Sequence, residues 1–199
     1  MKKCLIFCSL AFLVAFYSCS HSHKDVDDKG VKVMAYYYTG WENFKPETLP
    51  YYKLTHIIFS FTEVIENEMR FPEDTLDLIL KQLVKQKKKH PGLKVMIACG
   101  GWAGSGGFSE MARTAETRKK FVESVVKFIR KYKLDGLDID WEYPGLPGMG
   151  NPFIPEDKEN FTALMCELRE GLTSICDHQV LTFAAAGWED MFKHIELEK

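Results

Sequence analysis

From residue 31 onward the chain exchanges short apolar runs for longer helical patterns in regular alternation, and this order constrains the fold more than any other feature. Runs at 31–38, 56–62, 94–99, 134–141 and 180–186 are strand-like and bounded by turn residues. Between them, Leu76, Ile79, Leu80 and Leu83 predict a helix over 75–90. Phe121, Val125, Phe128 and Ile129 predict a second over 116–132, with Thr114 as its cap. Phe161, Leu164, Met165 and Leu168 predict a third over 156–174. Strand, helix, strand order calls for parallel βαβ units with right-handed crossovers, closed into a barrel or laid out as a doubly wound sheet. No Gly-Xaa-Gly-Xaa-Xaa-Gly follows the first strand and no phosphate loop occurs, which disfavours dinucleotide binding. Residues 64–71 alternate weakly around Glu66-Asn67 and predict a small excursion, and the proline- and glycine-rich 144–155 predicts a long loop after the fourth strand.

The first residues stand apart from this pattern. Lys2 and Lys3 precede an apolar stretch over 5–16 and a small residue, Ser18, which together form an export signal over 1–18, too short to span a bilayer. Phe16-Tyr17-Ser18-Cys19 resembles a lipobox, so Cys19 is the expected lipidation site of an exported, membrane-anchored lipoprotein; ordinary cleavage to a secreted protein is the alternative. Residues 19–30 are polar and form a tether, in which His21 and His23 read as solvated residues and not as metal ligands. The remaining cysteines, Cys99, Cys166 and Cys176, make no disulfide framework: on one helix Cys166 and Cys176 lie about 15 Å apart, so buried free thiols are expected. A net charge of -2 gives no basic footprint for nucleic acid.

The chemistry concentrates in Asp135-Gly136-Leu137-Asp138-Ile139-Asp140-Trp141-Glu142. Strand alternation puts Asp138, Asp140 and Glu142 on one face and Leu137, Ile139 and Trp141 on the other, with like faces about 6.6 Å apart along the strand. In a parallel barrel the acidic face meets the axis. Carboxyls stacked in a partly dry interior disfavour their own ionisation, which suits a general acid; a strand end neutralised by Lys or Arg is the structural alternative.

These residues match Asp-Xaa-Xaa-Asp-Xaa-Asp-Xaa-Glu, and together with Trp141 through Gly145, Ala35-Tyr36-Tyr37 and Gly100-Gly101-Trp102 the chain resembles the catalytic domain of glycoside hydrolase family 18, the chitinase-like enzymes. The resemblance implies an α/β fold, a TIM (β/α)8 barrel of which about five of the eight strand-helix units fit in residues 31–199, with the site at the C-terminal strand ends. It implies a retaining, substrate-assisted hydrolysis of N-acetylglucosamine polymers that needs no cofactor and no metal. Glu142 is then the acid/base, Asp140 the group that orients the 2-acetamide, and Asp138 its hydrogen-bonded partner. Tyr36 approaches Asp138 from the first strand, and Tyr143, Trp102 and Trp188 are candidate sugar contacts, the two tryptophans serving equally well as core. Asp135, Gly136, Gly100 and Gly101 belong to the structural part of the motif.

Two departures bear on function. Ala98-Cys99-Gly100-Gly101 stands where the family carries Ser-Xaa-Gly-Gly, so Asp138 is expected to lose a hydrogen bond worth about 1.5–3 kcal/mol. The family's Met-Xaa-Tyr-Asp segment and its later tryptophan have no counterpart, which reads as a barrel incomplete at its C-terminus, with exposed edges and doubtful activity by itself. An endo-β-N-acetylglucosaminidase acting on glycoprotein glycans and a non-catalytic glycan-binding lipoprotein are the competing functions.

Overall fold

The computed structural model describes residues 30–40 and 45–199. The leader, Cys19 and all of the tether but Gly30 lie outside the described residues. Six strands form one sheet: β1 (Met34–Tyr38), β2 (His56–Ile65), β3 (Glu68–Arg70), β4 (Lys94–Gly100), β5 (Gly136–Asp140) and β6 (Val180–Phe183). The order is β1-β2-β4-β5-β6 with every neighbour parallel, while β3 pairs antiparallel to the far end of β2. Five parallel strands therefore stand where five strand-like runs were predicted.

The excursion at 64–71 is a hairpin. Glu66 and Asn67 both take positive φ, 53° and 62°, which is the two-residue turn whose twist matches the flanking strands. Strand ends are shorter than the apolar runs that announced them. Val31 to Val33 precede β1 as exposed chain, with Val33 tied to Thr55 by its N–H and carbonyl, and Trp141 and Glu142 lie just beyond β5.

Helices α1 (Thr75–Lys85), α3 (Ala115–Tyr132) and α4 (Asp157–Thr173) cover one face of the sheet; α2 (Phe108–Ala112) and α5 (Glu189–Lys193) are single short turns. Thr114 caps α3, accepting the Thr117 N–H at 3.2 Å, with Thr117 reciprocating to the Thr114 backbone. Each long helix buries one stripe: Leu76, Leu80 and Leu83 from α1, Phe121, Val125 and Ile129 from α3, Phe161, Leu164 and Leu168 from α4.

Alternation along the strands divides the interior in two. Ile57, Phe59, Val95, Ile97, Leu137 and Ile139 meet the helices in the main core, while Ile58, Met96 and Ala98 form a smaller apolar layer on the other face, with Phe61 and Val180 against it. Asp138 and Asp140 belong to this second face, Asp138 level with Ala98 and Asp140 beyond it at Gly100. Cys99 is buried in the main core, whereas Cys166 and Cys176 are exposed, contrary to the expectation of three buried thiols: Cys166 sits on α4 away from its apolar stripe, and Cys176 lies past the end of that helix.

Candidate active site

Strand β5 is buried at all five positions, so its two inward carboxyls are held without free access to water. Asp138 is 1% exposed and Asp140 4%. Trp141 turns to the opposite face, stacks on Phe108 with ring centroids 5.4 Å apart at 11°, and meets Phe161 edge-on. That anchor in the helix-side core fixes the chain direction immediately before Glu142.

Asp138 is gripped by hydroxyls. Tyr36 Oη donates to Oδ2 at 2.6 Å from β1, and Thr182 Oγ1 donates to Oδ1 at 2.6 Å from β6. In the sheet register Asp138 lies between Ala98 and Thr182. Ala98 offers no hydroxyl from β4, as expected, and the two side-chain hydroxyls that Asp138 does receive come from β1 and β6. Its partners are also neutral, which sets aside the reading of an acidic strand end neutralised by Lys or Arg.

Asp140 is pushed up to about 8, first by burial, then by the charge of Asp138 and a hydrogen bond shared with it, and by the charge of Glu142; the Tyr36 hydroxyl opposes the rise. Among the described residues its Oδ1 is buried with no hydrogen-bond partner. Tyr36 is itself driven upward, by burial and then by its bond to Asp138, and so remains a donor. Glu142 is raised by burial, with the neighbouring Tyr143 hydroxyl pulling the other way. Three carboxyls thus share one face, two of them holding protons more tightly than isolated acids do, which suits proton donation near neutrality.

Glu142 opens onto a cavity of about 700 Å³, walled by Tyr38, Phe61, Glu63, Trp102 and Met149 among others. Trp102 and Trp188 are both about half exposed, at 51% and 46%, so neither is a core filler. Tyr143 stands between them, with ring centroids 6.3 Å from Trp102 and 5.1 Å from Trp188, both edge-on. The structure brings these three aromatics together at the same end of the sheet as Glu142.

Gly100 and Gly101 end β4 with φ of 110° and 84°. A β-carbon on Gly100 would sit 2.3 Å from the Asp140 carbonyl oxygen, so the close approach of β4 to the acidic strand requires glycine. Asp135 lies at the opposite end of β5 from Glu142, where its Oδ2 accepts from Lys87 Nζ at 2.5 Å and from the Val95 N–H at 2.8 Å. It pins the base of the sheet and takes no part in the mouth.

Sequence reasoning missed four polar residues: Thr182, Ser105, Asn151 and Asp157. Asp157 is fully buried at the start of α4, accepting from Ser109 Oγ at 2.9 Å and from the Ile154 and Gly145 N–H groups at 2.9 and 3.3 Å. It fastens both ends of the loop that follows Glu142. A helix start of Glu156-Asp157 was a visible signal for capping, though its loop partners were not.

Comparison with known proteins agrees with the geometry. A manducan endochitinase (Manduca sexta) is 37% identical over 166 residues, 77% of this chain but 28% of that protein. Among solved structures, chitinase ChiA74 from Bacillus thuringiensis superposes with a TM-score of 0.78 at 26% identity, covering 82% of this chain and 36% of that one. The chitinase domain of the spore coat protein CotE from Clostridium difficile gives 0.72 at 32% identity, covering 94% and 49%. The chain therefore spans less than half the length of each of these relatives. The model of glycosyl hydrolases family 18 matches residues 33–199, and the chain belongs to that family.

Proposed function

We propose that this chain carries the acid-bearing part of an enzyme that hydrolyses β-1,4-linked N-acetylglucosamine polymers, chitin or chitooligosaccharides, with retention of configuration. The observation that carries the reading is the row Asp138, Asp140, Glu142, buried at its base and open to a cleft at its tip. Relatives named as chitinases support it.

In this reading protonated Glu142 delivers its proton to the glycosidic oxygen as the C–O bond breaks. The carbonyl oxygen of the substrate's own 2-acetamido group attacks the anomeric carbon, forming an oxazolinium ion and making a protein nucleophile unnecessary. Asp140 accepts the acetamide N–H, for which its unpartnered Oδ1 is the available acceptor, and the one negative charge it shares with Asp138 offsets the positive charge growing on the ring. Asp138, held by Tyr36 and Thr182, shares a proton with Asp140 and fixes its orientation. Water, activated by the same Glu142 as base, then opens the oxazolinium.

The test is Glu142→Gln in the polypeptide that contains these residues, assayed on chitotetraose and on a high-mannose glycopeptide. Turnover of the oligosaccharide should fall roughly 10²–10⁴-fold, the usual contribution of a general acid. Unchanged turnover rejects the assignment, and cleavage of the glycopeptide in place of chitotetraose moves the activity to glycoprotein glycans. We further propose export and anchoring through Cys19, on the leader sequence alone.

A further inference from the structure

Glu142 lies past the last paired residue of β5, so no strand ladder holds its backbone. A general acid needs its carboxyl placed within a few tenths of an ångström, and an unpaired residue at a strand end does not achieve this unaided.

Two side chains take over the work of the ladder. Ser105, fully buried in the glycine-rich loop after β4, accepts the Glu142 N–H on its Oγ at 3.0 Å. The same oxygen lies 2.9 Å from the carbonyl oxygens of both Gly101 and Asp140, to which its single proton can be given in turn. The Gly101 N–H also donates to the Asp140 carbonyl at 2.8 Å, so the end of β4 and the residues from Asp140 to Glu142 are joined through one hydroxyl. On the other side Asn151 Nδ2, from the long loop, donates to the Glu142 carbonyl at 3.2 Å and reaches the Trp102 carbonyl at 3.4 Å. Gly148 clears the space for this contact, since a β-carbon there would lie 2.1 Å from the Glu142 oxygen.

We infer that Ser105 and Asn151 are positioning residues for Glu142, Ser105 through its N–H and Asn151 through its carbonyl. Both act on the backbone and leave the carboxyl free for substrate. A seryl oxygen is well suited to this task because it accepts and donates at once from a fully buried position. The inference rests on Glu142 being the general acid, but its first test does not.

In the 199-residue chain, Ser105→Ala should speed hydrogen exchange of the Glu142 amide by about tenfold or more, while the amides of Phe121 and Ile129 in α3 keep their wild-type rates. Unchanged exchange at Glu142 overturns the inference, whatever the activity. The second readout is hydrolysis of 4-methylumbelliferyl chitobioside. Ser105→Ala should lower kcat by roughly 10²-fold with KM within about threefold, the signature of a misplaced acid on an intact binding cleft. Equal losses through KM, or a melting temperature that collapses with the rate, assign Ser105 to folding alone and also overturn it. Asn151→Ala should reproduce the kcat loss in weaker form, and Asn151→Asp, which cannot donate, should match the alanine variant. Glu142→Gln is measured alongside. If it leaves turnover intact, the hydrolase assignment fails while the amide result still decides whether Ser105 holds residue 142.

Discussion

Thr182 and Tyr36 hold opposite oxygens of the Asp138 carboxylate, each at 2.6 Å, Thr182 from the adjoining β6 and Tyr36 from β1 at the far edge of the parallel strands. With Ala98 contributing only a methyl, Asp138 depends on Thr182 for its second donor. Thr182→Val should therefore lower kcat/KM roughly 10- to 10²-fold, the rate equivalent of a hydrogen bond to a charged group. Adding Ala98→Ser to that variant should recover most of the loss, and Ala98→Ser alone should change little. Steady-state kinetics of the three variants check this, and failure of the double variant to recover would show that a donor on β4 cannot replace one on β6.

A loss of stability toward alkaline pH follows from Asp140. Its folded value, about 8, lies above the unfolded value near 4, so the folded state binds more protons between those limits. The contribution is therefore fully favourable below about pH 4 and is lost as pH rises through about 8. Asp140→Asn removes this dependence. The melting temperature of the variant relative to wild type should rise with pH across that window, by about 2–8 °C for a change of about 1–2 kcal/mol. A gap that is flat from pH 4 to 9 contradicts the assignment.

In the proposed mechanism the alkaline limb of turnover belongs to Glu142, which must be protonated to act. Burial raises it and Tyr143 lowers it. Tyr143→Phe removes the opposing hydroxyl and should move the descending limb of the kcat/KM profile to higher pH. A limb that stays in place or moves toward acid shows that Tyr143 does not act on the acid.

Asp157 is a structural matter. Three donors converge on its buried carboxylate, and Asp157→Ala would strand Ser109 and two loop N–H groups. A loss of about 3 kcal/mol in unfolding free energy is expected from denaturant titration, with the loop over 144–155 becoming the first site of proteolytic cleavage.

Much of this arrangement is legible before any coordinates. Leu137, Ile139 and Trp141 alternate with Asp138, Asp140 and Glu142, and that periodicity alone assigns the carboxyls to one face. Thr114 and the apolar stripe behind it locate α3 to within a residue. The contacts that complete the site are of another kind. Thr182 is 44 residues from Asp138 and Ser105 is 37 from Glu142, and only the register of three parallel strands brings them together. A serine in a glycine-rich loop or a threonine in a strand carries no local pattern that announces such a partner. Exposure failed for a related reason: Cys166 is apolar enough for a core, but its burial depends on which side of α4 faces Phe161 and Leu164, and Cys176 lies in the turn beyond that helix.

Gly100 carries a last consequence. Because a side chain there would collide with the Asp140 carbonyl, the wall of the cleft has no freedom to vary at its junction with the acidic strand. Changes in the shape of the cleft are left to exposed side chains such as Trp102 and Met149, which can be exchanged while the acidic row stays in its frame.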